Sequence, residues 1–285
     1  MPSPSEDSLV LLKITLAMVA FAANSLLCRL ALKGLHMDAV SFSSVRLLSG
    51  AIALFLLLQL PGLRRKPEFN WLNAALLATY VFAFSLAYLS LTTAAGALLL
   101  FGTVQCVMTG WGLMRGERLT ALKSLGMLGA MGGLALLLLP GAGHPSGSAS
   151  LLMILSGAAW AVYCITGKRV QNAAAATTGN FILAVPMALA VLLLSGFHIH
   201  ADAVGLMLAV LSGALMSGGA YLLWYSLLPQ LSPTTASTLQ LSVPCLAALG
   251  GLVFMGEAID MRMLLAIVIT LSGIGLVIAA DRRRI

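Results

Sequence analysis

This chain has little charge. Only 9% of its 285 residues are Asp, Glu, Lys or Arg, while 60% are hydrophobic and the mean hydropathy is +1.01. Soluble domains carry about 25% charged residues, so composition excludes one. Acids are the scarcest: nine, against sixteen Lys and Arg. Glu6, Asp7, Asp38, Glu68, Glu117, Asp202, Glu257, Asp260 and Asp281 all fall in tails, in loops or at the ends of apolar runs. No GxxxxGK[ST] loop is present, which argues against ATP use by this chain itself. Cys28, Cys106, Cys164 and Cys245 lie inside apolar runs with no CxxC spacing. They read as small buried apolar residues rather than disulfides or metal ligands. No His, Cys or Ser forms a nucleophile–base arrangement, so no catalytic residue, cofactor or metal is expected. His198-Ile-His200-Ala-Asp202 is too slight a pattern for a metal site and reads as loop polarity. The net charge of +7 is scattered over short loops, which does not suit nucleic acid.

What is present is length of apolar sequence. A helix needs about 20 apolar residues to cross a bilayer. The runs between charged and Pro/Gly punctuation predict ten: Val10–Leu32, Ala39–Leu60, Trp71–Leu91, Thr93–Met114, Ala121–Leu139, Ala149–Gly167, Thr178–Gly196, Val204–Leu228, Thr234–Met255 and Met261–Ala280. The first is read as a span and not as a signal peptide. With the N-terminus in the cytoplasm, twelve Lys and Arg fall inside and three (Arg29, Lys33, Arg262) outside. That bias fits the positive-inside rule and puts both termini in the cytoplasm.

The chain also repeats itself. Phe21, Asn24 and Arg29 recur 139 residues later as Trp160, Tyr163 and Lys168. Gly116-Glu117 and Gly133 recur 140 residues later as Gly256-Glu257 and Gly273. Residues 1–140 and 149–285 then form two five-span halves. Five is odd, so the second half is inverted. Inverted halves around a midplane site are a common architecture of secondary transporters.

Ten spans, the aromatic-x-x-polar run ending in Arg29 or Lys168, Arg46 in the second span, and the Gly-Glu pairs resemble the EamA-type branch of the drug/metabolite transporter superfamily. The resemblance runs over the whole chain. Phe21 departs from it, standing where the family often has Trp, which Trp160 keeps. It implies an all-α integral membrane protein of ten transmembrane helices in two inverted five-helix repeats. It further implies a bacterial inner-membrane permease, often an exporter of amino acids, related metabolites or toxic compounds. The expected partners are a small-molecule substrate and the lipid bilayer, without nucleic acid; a homodimer is allowed. An integral-membrane enzyme acting on a lipid-linked substrate would need an interfacial polar cluster, and none is seen. A non-transporting sensor would need a soluble signalling domain, and no loop is long enough.

Asn24 and Tyr163 occupy equivalent mid-membrane positions, where they either line a substrate cavity or bond across helices. In the ninth span, Pro244 cannot donate to the Gln240 carbonyl, which frees an acceptor beside Gln240 and Ser242. Gln105 stands in the mate of that span. Trp160 and Tyr221 complete the candidate substrate-binding set. Trp224 and Tyr225 are expected to belong to an interfacial aromatic belt, as are Trp71 and Trp111. Arg46 is the one charge well inside a predicted span: it gates, snorkels to a surface, or meets a carboxylate-bearing substrate. Glu117 and Glu257 are expected to pair with bases or helix ends. Gly129-x-x-x-Gly133 permits close helix contact within or between protomers.

Overall fold

The computed structural model describes residues 4–138, 147–196, 199–256 and 261–282. Among them the only strand-like pairing is one isolated antiparallel bridge, Met37 with Ala201. The rest is helix and connection. In chain order the helices are α1 (Pro4–Lys33), α2 (Ala39–Leu57), α3 (Trp71–Ala87), α4 (Thr93–Met114), α5 (Ala121–Leu138), α6 (Gly147–Gly167) and α7 (Ala173–Leu194). Then α8 (Ala203–Leu211) passes through a π-helical segment (Ser212–Gly219) into α9 (Ala220–Leu227) and a short 3₁₀ turn. Next come α10 (Pro233–Gln240), α11 (Ser242–Met255) and α12 (Met261–Arg282).

Local chemistry sets the ends. Asp38, Asn70, Thr92, Asn172, Asp202 and Ser232 each accept from a backbone N–H of the first turn of α2, α3, α4, α7, α8 and α10. Those N–H groups have no partner inside the helix. The Asn172 cap starts α7 at Ala173, before the expected Thr178. Helix α2 stops at Leu57 and α3 at Ala87, short of Leu60 and Leu91, and α1 begins at Pro4, ahead of Val10. The stretch expected as an eighth span is interrupted by the π segment, and the ninth breaks at Leu241 between α10 and α11.

Seven helical stretches among the described residues are long and apolar enough to cross a membrane: Ser8–Lys33, Ala39–Leu57, Thr93–Met114, Gly147–Gly167, Ala173–Leu194, Ala203–Gln230 and Pro233–Phe254. Trp71–Ala87 and Leu264–Ala280 are apolar but shorter. Their outward faces carry exposed Leu, Ile, Val and Phe (Leu12, Leu16, Ile52, Phe55, Val253, Phe254, Val268). Their inward faces carry the polar groups. That inversion of the soluble pattern suits a hydrocarbon solvent.

Helix α6 packs on α3 and α4, α1 on α9 and α11, α2 on α7 and the π segment, and α5 on α12. The last pair shares the most extensive contact. A Cβ on Gly133 would lie 2.4 Å from Thr270 Oγ1 and 2.8 Å from the Ala266 carbonyl, and one on Gly273 would lie 2.5 Å from the Ala130 nitrogen. Only glycine lets these backbones meet. The glycine stripe of α5 is thus occupied by α12 of the same chain.

Candidate functional site

The centre of the bundle is aromatic around one cation. Arg46 is wholly buried. It lies about 10 Å from the start of α2 and about 17 Å from its end at 1.5 Å per residue, so it does not snorkel. Its Nε donates to Ser217 Oγ (2.9 Å), and its Nη2 donates to the hydroxyls of Tyr221 (2.8 Å) and Tyr80 (3.1 Å). The guanidinium carbon stands 5.4 Å from the Tyr80 ring centre and 5.2 Å from that of Phe84, within cation–π range. Trp160 packs on Tyr221 at 4.7 Å and on Tyr80 at 5.0 Å, with Phe21 edge-on to Trp160 at 5.5 Å.

Asn24 joins from α1. Its Nδ2 donates to Ser217 Oγ (2.9 Å) and to the Met216 carbonyl (3.1 Å), and its Oδ1 accepts from Ser212 Oγ. All three partners belong to the π segment, where i→i+5 bonding leaves the backbone open to such contacts. A Cβ on Gly213 would lie 2.1 Å from the Arg46 carbonyl, so glycine is needed for this segment to reach α2. Tyr163 stacks on Trp160 (5.6 Å, 26°), accepts from Asn180 Nδ2 (3.2 Å), and offers its carbonyl to the Tyr225 hydroxyl (2.9 Å).

Gln240 stands at the end of α10. Its Oε1 accepts from Trp160 Nε1 at 2.6 Å, and its Nε2 donates to the Ala236 carbonyl. Gln105 bonds Thr109 and Thr238, so it reaches the same helix without touching the aromatic centre. Ser242 back-bonds to the Leu239 carbonyl (2.8 Å) and joins no cluster contact. Pro244 is buried in the first turn of α11, where its missing N–H does least damage. The structure therefore brings together Asn24, Arg46, Trp160, Tyr163, Tyr221 and Gln240, with Gln105 beside them and Ser242 apart.

Trp224 and Tyr225 are not at an interface. Both are buried, Trp224 donating to Cys164 Sγ. With Tyr221 they stand at i, i+3 and i+4, one face of α9, and that face turns inward. Their place near a span end suggested a belt; the helical face decides otherwise. Trp71 is 65% exposed, and Trp111 packs under the Arg115 guanidinium (4.7 Å).

Below the centre lies a cavity of about 1340 Å³. It opens where α3 and α10 begin and α4 and α6 end. Asn73, Cys106, Gly110, Val162 and Thr166 line it deeply; Glu68, Arg115, Lys168 and Arg169 ring its mouth. None of the candidate substrate residues lines it. On α3 the lining stops at Asn73, seven residues or about 10 Å before Tyr80, while on α6 it reaches Val162, beside Tyr163 and two residues from Trp160.

The opposite end is tied shut. Asp38 accepts from the His200 N–H (3.0 Å), the Asp202 N–H donates to the His36 carbonyl (2.9 Å), and His36 Nδ1 meets Asp202 Oδ2 at 2.7 Å. Hydrogen bonds from Ser41, His200 and Val40 hold the Asp38 carboxyl below its ordinary value although burial opposes them. The Gly205 N–H and His36 do the same for Asp202. His198 lies outside the described residues.

Glu117 forms a separate joint beside the cavity. Gly116 ends α4 in the left-handed region (φ 84°), with the Glu117 N–H bonded to the Gly112 carbonyl and the Gly116 N–H to that of Leu113. This is a Schellman ending. The carboxylate then accepts from Lys123 Nζ (2.9 Å), Ser232 Oγ (2.7 Å) and the Thr234 N–H (3.4 Å) at the start of α10. Burial raises its pKa, but those donors outweigh it and hold the carboxyl below the usual range. Gly256 ends α11 with the same hand (φ 66°); Glu257 lies outside the described residues.

The sequence reading missed Tyr80, Phe84, Asn180, Phe181, Ser212 and Ser217. For the last two a signal existed: Ser212-Gly213 and Ser217-Gly218 repeat at a spacing of five, the period of π bonding.

Apolar helices that bury polar side chains inward define a multi-pass membrane protein. The EamA-like transporter family profile matches residues 147–279. The chain is 48% identical over 279 residues to an uncharacterized protein of Pseudomonas aeruginosa, covering 96% of each. It is 26% identical over 287 residues to an uncharacterized transporter of Archaeoglobus fulgidus, covering 95% of this chain and 98% of that one. One crystal structure at 17% identity shares the fold, with a TM-score of 0.76 over 97% of this chain and 99% of the other. The chain belongs to the EamA-like transporter family, within the drug/metabolite transporter superfamily.

Proposed function

We propose that the protein is a secondary transporter that carries a small metabolite across the cytoplasmic membrane by alternating access. An amino acid or related compound moving outward is the favoured cargo. Ten spans are arranged as inverted halves, 1–140 and 149–285, with both termini in the cytoplasm. The cargo sits between the halves at the Arg46–Trp160–Tyr221 centre.

The observation that carries this reading is the asymmetry around that centre. A buried polar and aromatic cluster lies between a cavity on one side and a tied-off loop pair on the other, the arrangement of a carrier closed to one face. Two equivalent contacts support the inverted halves. Arg29 donates to the Tyr88 carbonyl (2.8 Å) at the end of α3, and Lys168 donates to the Leu228 carbonyl (3.0 Å) at the end of α9. The bases are 139 apart, their acceptors 140 apart, and the two contacts stand at opposite ends of the bundle. The charge on Lys168, Arg169 and Arg115 supports a cytoplasmic cavity mouth.

Counterflow in proteoliposomes against a panel of labelled amino acids, amines and sugars tests the function. Exchange above protein-free vesicles is expected for at least one member. Absence of exchange by folded protein across amino acids, amines, sugars, lipids and drug-like compounds refutes transport.

A further inference from the structure

Arg46 is a buried cation with no buried anion. Among the described residues no carboxylate pairs with it; the acceptors offered to it are three hydroxyl oxygens, from Ser217, Tyr80 and Tyr221. Its Nη1 has no hydrogen-bond partner at all. A guanidinium brings five N–H donors and no acceptor, so both Nη1 protons are left over. The phenols do not remedy this. The Tyr221 hydroxyl lies 3.0 Å from that of Tyr80, and among the described residues no carbonyl or carboxylate accepts from either. The pocket therefore has a formal charge of +1 and more donors than acceptors.

An uncompensated buried charge costs several kcal/mol, and a charged donor left unpaired is among the costliest buried groups. Structural needs do not explain it. A leucine or methionine at position 46 would fill the same space among Tyr80, Phe84 and Tyr221 without that cost. The excess is what an oxyanion removes. A carboxylate accepts two parallel N–H bonds from a guanidinium fork, and here a phenol stands beside the fork as a further donor. Carboxylate suits the charge better than phosphate: one base balances one negative charge, whereas a phosphomonoester carries about −1.5 to −2.

The surroundings set the rest of the ligand. Phe21, Trp160 and Phe181 close around the cluster and offer aromatic faces to an apolar or aromatic substituent. The mouth of the cavity carries Arg115, Lys168 and Arg169 against Glu68, a positive excess that draws anions in.

Resting on the transport reading above, we infer that the cargo bears a carboxylate, which binds Nη1 of Arg46 beside the Tyr80 and Tyr221 hydroxyls while its apolar part packs on Trp160.

Matched trios test this: phenylalanine, phenylalaninamide and phenethylamine; the same trio for leucine and for a straight-chain acid; and phenyl phosphate as the phosphate probe. Each is measured by counterflow in proteoliposomes and by tryptophan fluorescence of the purified protein. The carboxylates are expected to exchange and to bind at least tenfold more tightly than their amides, within the about ten- to hundredfold that a charge-assisted hydrogen bond supplies. Arg46→Gln should erase that preference, Arg46→Lys should keep part of it, and Tyr80→Phe should weaken it less. The wild-type comparison stands even if a variant fails to fold. Equal or better exchange of an amide or amine overturns the carboxylate assignment and leaves transport standing. Preference for phenyl phosphate overturns carboxylate in favour of phosphate. No binding and no exchange by any member overturns the carboxylate assignment, while the transport reading falls only with silence across the wider panel above.

Discussion

Replacing Glu117 loosens one defined joint. The carboxylate receives Lys123 and Ser232 on Oε1 and the Thr234 N–H on Oε2. Alanine deletes both acceptor oxygens, and with them all three bonds, beside a lysine that is only 2% exposed. Breaking a fully buried pair costs 3–5 kcal/mol. The Glu117 side chain keeps 12% of its surface, so the expected loss is about 2 kcal/mol. That corresponds to a melting decrease on the order of 5 °C for a chain this size. Glutamine costs less. Its oxygen can keep Lys123 and Ser232, but its NH₂ must then face the Thr234 N–H. The expected order is wild type, then Glu117→Gln, then Glu117→Ala. Acid supplies a second check. A carboxyl held below its ordinary value stabilises fully above that ordinary value, about 4.3 for Glu. The stabilisation is lost as pH falls through the lowered one. The wild-type advantage over Glu117→Gln should thus be constant from pH 7 to 5 and shrink below. Thermal unfolding in one detergent, scanned at fixed rate, reads both. Glu117→Ala melting within about 1 °C of wild type would refute the joint.

Other expectations follow from the same geometry. Gly133→Ala should lower the melting temperature by several degrees, because its Cβ would strike Thr270 and Ala266. Gly132→Ala, which meets nothing within 4 Å, should be neutral in the same melt. Asp202→Ala removes the His36 contact at the tied end. An impermeant maleimide should then label a cysteine at Met37, now 3% exposed, faster than in otherwise wild-type protein; an unchanged rate rejects the tie as a closure. Native Cys106 lines the cavity and is the exposed one of the four cysteines. It should label from the same face as a cysteine at position 66 and from the face opposite to one at 142. Labelling of 66 and 142 from one face would end the inverted topology.

The helices were legible because bilayer thickness imposes one length on every apolar run, and charge and Pro/Gly mark the gaps. Their ends were less so. Asn172 caps α7 earlier than hydropathy alone suggests, and polar residues such as Asn73 and Thr177 continue a helix wherever neighbours cover them. The centre was legible in part. Asn24, Trp160 and Tyr221 could be found as polar or aromatic groups at membrane depth, and symmetry singled out the first two. Tyr80 and Phe84 could not, since nothing in α3 distinguishes one aromatic from another until α2 brings a guanidinium against them. Trp224 was misplaced because depth along a helix was read without its facing. Ser242 was overvalued because its hydroxyl is spent on its own helix.

Glu117 begins just beyond α4 and ends as a cap on α10, so one carboxylate serves two of the proposed halves. A movement that pulls α4 from α10 at this end must sever its bonds to Ser232 and Thr234 together. A movement that swings the rest of the bundle about it severs none. The glycine seam between α5 and α12 is equally hard to slide, since its backbones already touch. In the proposed transport cycle these four helices would make the fulcrum, and the arms rocking on it would be the ones that carry Asn24, Arg46, Trp160 and Tyr221.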